Sequence, residues 1–299
     1  MGAEAINRAL TAAAFSCVLV GAGIAVSRLA LAEVPPLTLA MLRYAIGFAC
    51  LAPFAWRQAR VLAQAGTRDL LAIGLLGIVQ FGLLIALLNF GLQRIASAEG
   101  ALIFSLFPLL TMLFSAALGQ ERITRTLVAG VIVSIAGVAL SIAPKLGAAH
   151  AAGSWWGDAA VLGAAALGAT CSVLYRPYLR RYPTLPVSAF AMLASVAFLG
   201  VAALVEHWPS RVAGFSATAW TATLFIGVTS GIGYFTWLYA LKHEAPTRVT
   251  VFLALNPPTA ALAGTLLLGE AFDAMTAGAL VLVAVGLWLA TRMPRSGNG

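Results

Sequence analysis

The chain alternates from end to end between long apolar runs and short polar or Pro/Gly-rich connections. An α-helix needs about 17–25 mostly apolar residues to cross the hydrocarbon core of a bilayer. The pattern predicts ten such helices, which we call spans 1 to 10, over residues 10–31, 37–56, 70–92, 97–118, 125–143, 155–175, 185–205, 217–240, 247–268 and 274–291. The connections leave no room for a soluble domain, so the predicted fold class is an all-α polytopic membrane protein.

Composition supports a membrane rather than an aqueous environment. The 299 residues are 61% hydrophobic and only 9% charged, whereas soluble domains carry about 25% charged residues. The net charge of +8 does not indicate nucleic-acid binding, because the basic residues lie at the ends of the spans and form no single patch.

The basic residues are distributed unevenly between the two sides of the predicted bundle. Thirteen Lys and Arg residues fall on the side of the N-terminus and four on the other side. Cytoplasmic loops carry such an excess, so both termini are expected in the cytoplasm. Lysine occurs only twice while Ala, Gly and Arg abound, which is typical of a GC-rich bacterial genome. The expected location is therefore the bacterial inner membrane.

Displacing the chain against itself by about 149 residues reveals an internal repeat. The segment from Phe90 to Glu121 falls on the segment from Tyr239 to Glu270, and Pro108 then meets Pro257. Each segment ends an apolar run with a glutamate, which is also the residue type favoured at the start of the next helix. The repeat predicts two units of five helices each.

The predicted units are residues 1–147 and 148–299. Because five is an odd number, consecutive five-helix units must have opposite orientations in the membrane. Inverted repeats of this kind are typical of secondary transporters, which bind their substrate near the midplane between the two halves.

The paired prolines lie near the middle of spans 4 and 9. A proline inside a helix removes one backbone donor and clashes with the preceding turn. Irregular backbone at membrane depth is tolerated where it faces protein or a wet cavity. Pro108 and Pro257 are therefore predicted to border a central cavity and to ease its opening. The alternative is that they only curve the two helices for packing.

These motifs resemble those of a known family. "LGQE" after the proline-centred span 4, and "NPPTAALAGTLLLGE" in span 9, resemble the EamA-type transporters of the drug/metabolite transporter superfamily. "PPLTLAMLRYAIG", which includes Arg43, resembles the second helix of that family. The likeness covers essentially the whole chain, although "LVGAGIAVSR" stands where many relatives carry a Trp-Gly pair.

The resemblance implies a bundle with spans 3, 4, 8 and 9 nearest the centre and spans 5 and 10 at the periphery. Within the superfamily the chain is most similar to the YddG-type exporters of aromatic and other hydrophobic amino acids. It therefore implies export by alternating access, a direction that the residues alone do not indicate.

Candidate binding residues are the polar and aromatic side chains predicted at membrane depth, together with the paired prolines. They are Arg43, Gln80, Ser105, Pro108, Thr229, Ser230, Tyr234, Trp237, Asn256 and Pro257. Arg43 is suited to a substrate carboxylate, but it can also extend to the interface or bind helix carbonyls. The neutral polar groups can equally form hydrogen bonds between helices. The two aromatic rings of span 8 can stack on a flat substrate or fill the core.

The same survey disfavours other functions. No Asp or Glu lies at the centre of a span, which argues against a proton-coupled cation pump and against metal cargo. No clustered nucleophile, acid/base pair or metal set indicates an enzyme, and no ring of like charges indicates a channel. We expect no cofactor. The predicted function is export of small hydrophobic metabolites, foremost aromatic or other hydrophobic amino acids; the alternative is a broad drug exporter.

Overall fold

The computed structural model describes residues 3–58, 60, 62, 64–119, 124–147, 154–269, 272 and 274–291. The helices in this part of the chain are α1 (Ala3–Ala30), α2 (Pro36–Trp56), α3 (Thr67–Leu92), α4a (Ser97–Phe104), α4b (Phe107–Ala117), α5 (Arg125–Gly147), α6 (Ser154–Arg181), α7 (Thr184–Ala202), α8 (Ala217–His243), α9a (Pro246–Thr250), α9b (Asn256–Leu268) and α10 (Ala274–Thr291). Every predicted span corresponds to one helix or one pair of half-helices. The glutamates that close the repeated segments, Glu121 and Glu270, lie outside the described residues.

The all-α polytopic fold predicted from the apolar runs is confirmed. Seven of the described helices are long and apolar enough to cross a membrane, by length and composition. Two shorter apolar stretches, Val128–Gly137 and Ala274–Gly286, belong to α5 and α10. Span 9 is divided between α9a and α9b. The connection between α7 and α8 contains one further short helix, Trp208–Arg211, flanked by 3-10 turns.

Helix contacts follow the internal repeat. Helix α1 packs against α8 and α9b, and its counterpart α6 packs against α3 and α4b. By the same repeat, the contact between α2 and α8 corresponds to the contact between α7 and α3. In addition, α2 packs against its equivalent α7, and α5 packs against its equivalent α10. The chain is thus two inverted five-helix repeats whose first, third and fourth helices interlock.

The contact between α2 and α8 depends on two glycines. A Cβ atom on Gly231 would lie 2.9 Å from the carbonyl oxygen of Gly47, and one on Gly47 would lie 3.3 Å from the Gly231 backbone. Small residues let membrane helices approach this closely, which increases van der Waals contact between their backbones. This approach holds α8 against α2 next to Arg43 and Ser230.

Both proline-bearing spans are broken. Helix α4 is interrupted at residues 105–106, and α9 passes through a 3-10 segment, Val251–Leu255, before α9b begins. Pro108 and Pro257 each lie in the first turn of the half-helix that follows, where a missing N–H costs no hydrogen bond. The Leu253 carbonyl, which lacks an α-helical donor, accepts instead from the backbone N–H of Asn256.

Candidate substrate-binding site

A cavity lies at the centre of the bundle. Ser230, on its wall, is the middle residue of α8, and Gln80 lies near the middle of α3. The lining residues come from α1, α2, α3, both sides of the α4 break, α8 and the α9 break: Ser16, Val20, Ile24, Arg43, Tyr44, Gln80, Leu84, Ile85, Leu88, Phe104, Phe107, Ser230, Gly233, Tyr234, Trp237 and Leu253. Both repeats therefore contribute to one midplane chamber.

The cavity is small and mostly apolar. Its volume is about 80 Å³, whereas pockets that hold small-molecule ligands measure roughly 300–1,000 Å³. A substrate the size of an amino acid thus requires the chamber to enlarge. The helix breaks at residues 105–106 and 251–255 border the chamber, so these are places where its wall can move.

Arg43 supplies the charge of this chamber. The residue is 5% exposed, and its Nε donates a 2.5 Å hydrogen bond to Ser230 Oγ on the facing helix. The guanidinium also lies 5.7 Å from the centroid of the Tyr44 ring. Within the described residues it has no carboxylate partner. A buried cation without a counter-ion is costly, so the site favours an anionic group on its ligand.

Aromatic rings surround the space next to Arg43. The Phe81 ring centroid lies 4.5 Å from that of Tyr44 and 4.1 Å from that of Tyr234. Trp237 meets Phe107 edge-on at 6.2 Å. Rings from α2, α4b and α8 thus line a surface that favours a flat or hydrophobic group, and Phe81 of α3 packs against two of them. Here α3 is π-helical between Ile78 and Leu83, a distortion that is frequent at functional sites.

The structure brings five of the ten sequence-predicted residues together. Arg43, Gln80, Ser230, Tyr234 and Trp237 all line the cavity. They come from three different helices, α2, α3 and α8. A charged group, two neutral polar groups and two aromatic rings therefore share one chamber.

The other five predicted residues are not among the lining residues. Ser105 is buried at the α4 break and donates to the Leu102 carbonyl, and Asn256 is fully buried at the start of α9b. Pro108 and Pro257 are buried in the first turns of their half-helices. The hydroxyl of Thr229 donates to carbonyls of its own helix.

Sequence reasoning missed the contribution of α1. Ser16, Val20 and Ile24 line the cavity, and Ser16 Oγ donates a 2.7 Å hydrogen bond to the Gly233 carbonyl of α8. Their spacing of four residues places them on one helix face, which was an available signal. The family resemblance, by contrast, implies that spans 3, 4, 8 and 9 lie nearest the centre.

Hydrogen bonds between the repeats hold the membrane face opposite the N-terminus, which we call the far face. The Glu33 carboxylate accepts from the backbone N–H and the hydroxyl of Ser216, at 3.0 and 2.6 Å. The Glu206 carboxylate accepts from the N–H groups of Leu37 and Thr38 and from the Thr38 hydroxyl. The bonds from Ser216 hold the pKa of Glu33 below its usual value. We call these two contacts the far-face latch.

A second set of contacts joins the repeats at the opposite end, the N-terminal face. The Asp69 carboxylate, in the first turn of α3, accepts from Arg181 at 2.9 Å and from the Tyr182 hydroxyl at 2.6 Å. This bond raises the pKa of Tyr182, because it favours the protonated phenol. We call these contacts the N-terminal latch. Both latches are formed in this structure, and the small cavity lies between them.

Comparison with known proteins places this architecture in a family. The profile described as "EamA-like transporter family" matches residues 7–143 and again residues 155–292. A solved crystal structure superimposes with a TM-score of 0.75 at 26% identity, over 95% of this chain and 96% of that one.

Several relatives carry names that refer to export. The chain is 31% identical to the "Probable terminal-alkyne amino-acid exporter" of Streptantibioticus cattleyicolor, over 92% of this chain and 88% of that protein. It is 30% identical to the "Aromatic amino acid exporter YddG" of Ancylobacter novellus, over 66% and 68%. The "Pseudopaline exporter CntI" of Pseudomonas aeruginosa is 28% identical over 85% of each chain. The sequence resemblance is thereby confirmed, and the chain belongs to the EamA-like family of membrane transporters, which are not enzymes.

Proposed function

We propose that this protein exports aromatic or other hydrophobic amino acids by alternating access at the central cavity. In this proposal the two halves, residues 1–147 and 148–299, move against each other. They expose the cavity first at one membrane face and then at the other. Two of the relatives are named as amino-acid exporters, which supports this substrate class.

The observation that carries the proposal is the pairing of Arg43 with an otherwise uncharged, aromatic chamber. The buried guanidinium is bonded to a neutral hydroxyl and so retains the capacity to bind a carboxylate. The rings of Tyr234 and Trp237 lie on the same wall and suit an aromatic or aliphatic side chain. In this proposal Gln80 and Ser230 bind the polar end of the substrate.

The residues at the helix breaks have a different part in the proposal. Ser105, Pro108, Asn256 and Pro257 act as hinge residues and reach the substrate only when the cavity enlarges. Thr229 has no role in the proposal, because it is not among the cavity-lining residues and its hydroxyl donates to a carbonyl of its own helix.

The proposal includes an orientation. The excess of basic residues on the side of the N-terminus favours the cytoplasm for both termini. With the composition typical of a bacterial genome, this makes the protein a multi-pass component of the bacterial inner membrane. The far face would then open to the outside of the cell.

The test is transport by the purified protein in liposomes. We expect saturable uptake of labelled phenylalanine and tryptophan that excess unlabelled compound inhibits. Phenethylamine, which lacks the carboxylate, should compete poorly because Arg43 would repel its ammonium group. Flux of cationic dyes without flux of amino acids would instead identify a drug exporter and overturn the proposal.

Arg43→Gln sharpens this test. The variant should lose about 10- to 100-fold in apparent affinity for phenylalanine, as expected when a charge-assisted hydrogen bond is removed. The preference for phenylalanine over phenethylamine should fall together with this affinity. The matched control is Arg94→Gln, because Arg94 lies at the far end of α3, stacked on Phe90 and bonded to its carbonyl. Equal losses for both compounds in Arg43→Gln would rule out carboxylate recognition.

A further inference from the structure

A second cavity lies on the side of the bundle, between α2, α7 and the start of α3. Its volume is about 320 Å³, larger than that of the central chamber. The lining is entirely hydrophobic apart from one indole N–H: Phe48, Ala52, Ala55, Trp56, Leu62, Leu70, Pro186, Ala189, Phe190 and Leu193. We call this cavity the lateral groove. It contains no group that could compensate for burying a zwitterion, so it does not suit the proposed substrate.

The groove has the depth of one bilayer leaflet. On α2 it extends from Phe48 to Trp56, and eight residues of α-helix rise about 12 Å. On α7 it runs from Pro186 in the first turn to Leu193. Half of a bilayer hydrocarbon core is about 15 Å thick. The groove therefore runs from the N-terminal face almost to the midplane, the course of a lipid acyl chain.

Arginines border the open end of the groove at the membrane surface. Arg57 directly follows Trp56, and Arg60 and Arg68 each precede a lining residue by two positions. All three side chains are exposed. Within the described residues none of them forms an ion pair. The neighbouring acid, Asp69, is already bonded to Arg181 and Tyr182, so the entrance keeps a positive charge.

Trp56 marks the level at which this entrance lies. It is 82% exposed at the end of α2, and tryptophan concentrates at the interface between hydrocarbon and headgroups. The arginines that follow it are therefore at the depth of lipid phosphates. An exposed indole next to exposed guanidinium groups matches a phospholipid in both its apolar and its charged part.

We propose that the lateral groove is a binding site for an anionic phospholipid of the leaflet at the N-terminal face. One acyl chain occupies the groove between α2 and α7, and Arg57 and Arg68 bind the phosphate and its anionic headgroup. The proposal is independent of the transported substrate. Because α2 and α7 are the equivalent helices of the two repeats, the lipid would bridge the two halves.

Native mass spectrometry of the full-length protein in detergent tests this site. We expect phosphatidylglycerol to bind about tenfold more tightly than phosphatidylcholine with the same acyl chains. Arg57→Gln combined with Arg68→Gln should abolish that preference, since basic residues near the headgroups are what attracts an anionic lipid. The control pair Arg94→Gln and Arg211→Gln removes the same charge at the far face and should leave the preference unchanged.

Two further measurements separate the acyl chain from the headgroup. Ala52→Trp fills the groove from a half-buried position, and it should weaken the binding of both lipids at least threefold. Glycerophosphoglycerol, the headgroup without chains, should not compete. Equal binding of the two lipids by the parent protein would overturn the proposal, as would an unchanged preference in the double arginine variant. Competition by the headgroup alone would reduce the site to a phosphate site and would also overturn it.

Discussion

Two fully buried asparagines differ in how their side chains are satisfied. Asn89 on α3 donates through Nδ2 to the Pro36 carbonyl at 3.0 Å, while its Oδ1 has no partner within the described residues. Asn256, in the first turn of α9b, has no hydrogen-bond partner for either amide atom within the described structure. A buried polar group left unsatisfied costs about 1–3 kcal/mol. Asn256 therefore destabilises the conformation seen here, which is consistent with a hinge that pairs differently in another state.

Asn256→Leu should stabilise the conformation seen here by about 1 kcal/mol, because leucine has the same branched shape, although it is larger, and removes the unsatisfied amide. Thermal unfolding in detergent, followed by tryptophan fluorescence, measures the change. The matched control, Asn89→Leu, removes a hydrogen bond and should lower the midpoint instead. A loss of stability in both variants would show that the Asn256 amide is satisfied in solution.

The sequence indicates the position of some cavity residues better than that of others. Arg43 was identified because a charge inside a span is rare, and the structure places it in the cavity. Thr229 and Ser230 are adjacent on α8, about 100° apart around the helix axis, so both cannot face the same chamber. Helix α8 is apolar on most sides, and its sequence therefore does not reveal which of the two faces inward.

At the scale of helices, the glycine contact between α2 and α8 determines how closely Arg43 approaches Ser230. Gly231→Leu should separate the two helices, because even a Cβ atom would contact Gly47. We expect a loss of about 1–3 kcal/mol, as for other overpacked sites, measured by thermal unfolding. Gly214→Leu is the control, since nothing lies within 4 Å of a Cβ at that position. Equal effects of the two substitutions would contradict the role of the contact.

The far-face latch should respond to pH. The pKa of Glu33 is lowered from 4.5 by the bonds from Ser216, so its contribution is fully present above that ordinary value. The contribution is lost as the pH falls through the lowered pKa. We expect labelling of a cavity cysteine, Leu88→Cys in a background without native cysteines, to increase from the far face as the pH falls through that lowered pKa, relative to a fully exposed reference cysteine that reports the loss of thiolate.

The far-face latch contains a second carboxylate, that of Glu206, so Glu33 must be tested separately. Ser216→Ala removes the hydroxyl donor and should shift the increase in labelling to higher pH. Thr221→Ala, an exposed threonine bonded only to its own helix, is the control and should leave the pH dependence unchanged. A profile that Ser216→Ala does not move would exclude Glu33 as the titrating group.

Helices and breaks differ in how far the sequence predicted them. The ten spans followed from apolar length, and both interruptions followed from Pro108 and Pro257. The π-helical segment of α3, Ile78–Leu83, has no proline to mark it. It depends on packing against α2, α6 and α7, which is information that a single helix sequence does not contain. The 3-10 segment before α9b compensates for the N–H that Pro257 lacks; the sequence shows that this donor is missing, but not which backbone conformation replaces it.

At the scale of the whole molecule, the two latches are related by the inverted repeat. The 149-residue displacement of the repeat places Glu33 on Tyr182. It also places Thr67, at the start of α3, on Ser216. The Glu33–Ser216 contact and the Asp69–Tyr182 contact each join the connection after the first helix of one half to the start of the third helix of the other half. The sequence predicted the duplication itself, but not these contacts, because the bonded residue types differ between the two copies.

The equivalence of the latches predicts opposite effects when either one is removed. Glu33→Gln weakens the far-face latch and should favour the conformation open at that face, whereas Asp69→Asn should favour opening at the N-terminal face. Because exposed polar contacts are weak, we expect shifts of about two- to fivefold in the labelling rate of Leu88→Cys. An impermeant maleimide applied to either side of sealed liposomes measures both rates. Each substitution should raise the rate on its own side and lower it on the other, since one cavity cannot be open to both. If either substitution raised the rates on both sides together, the halves would open independently, and a single alternating chamber would be excluded.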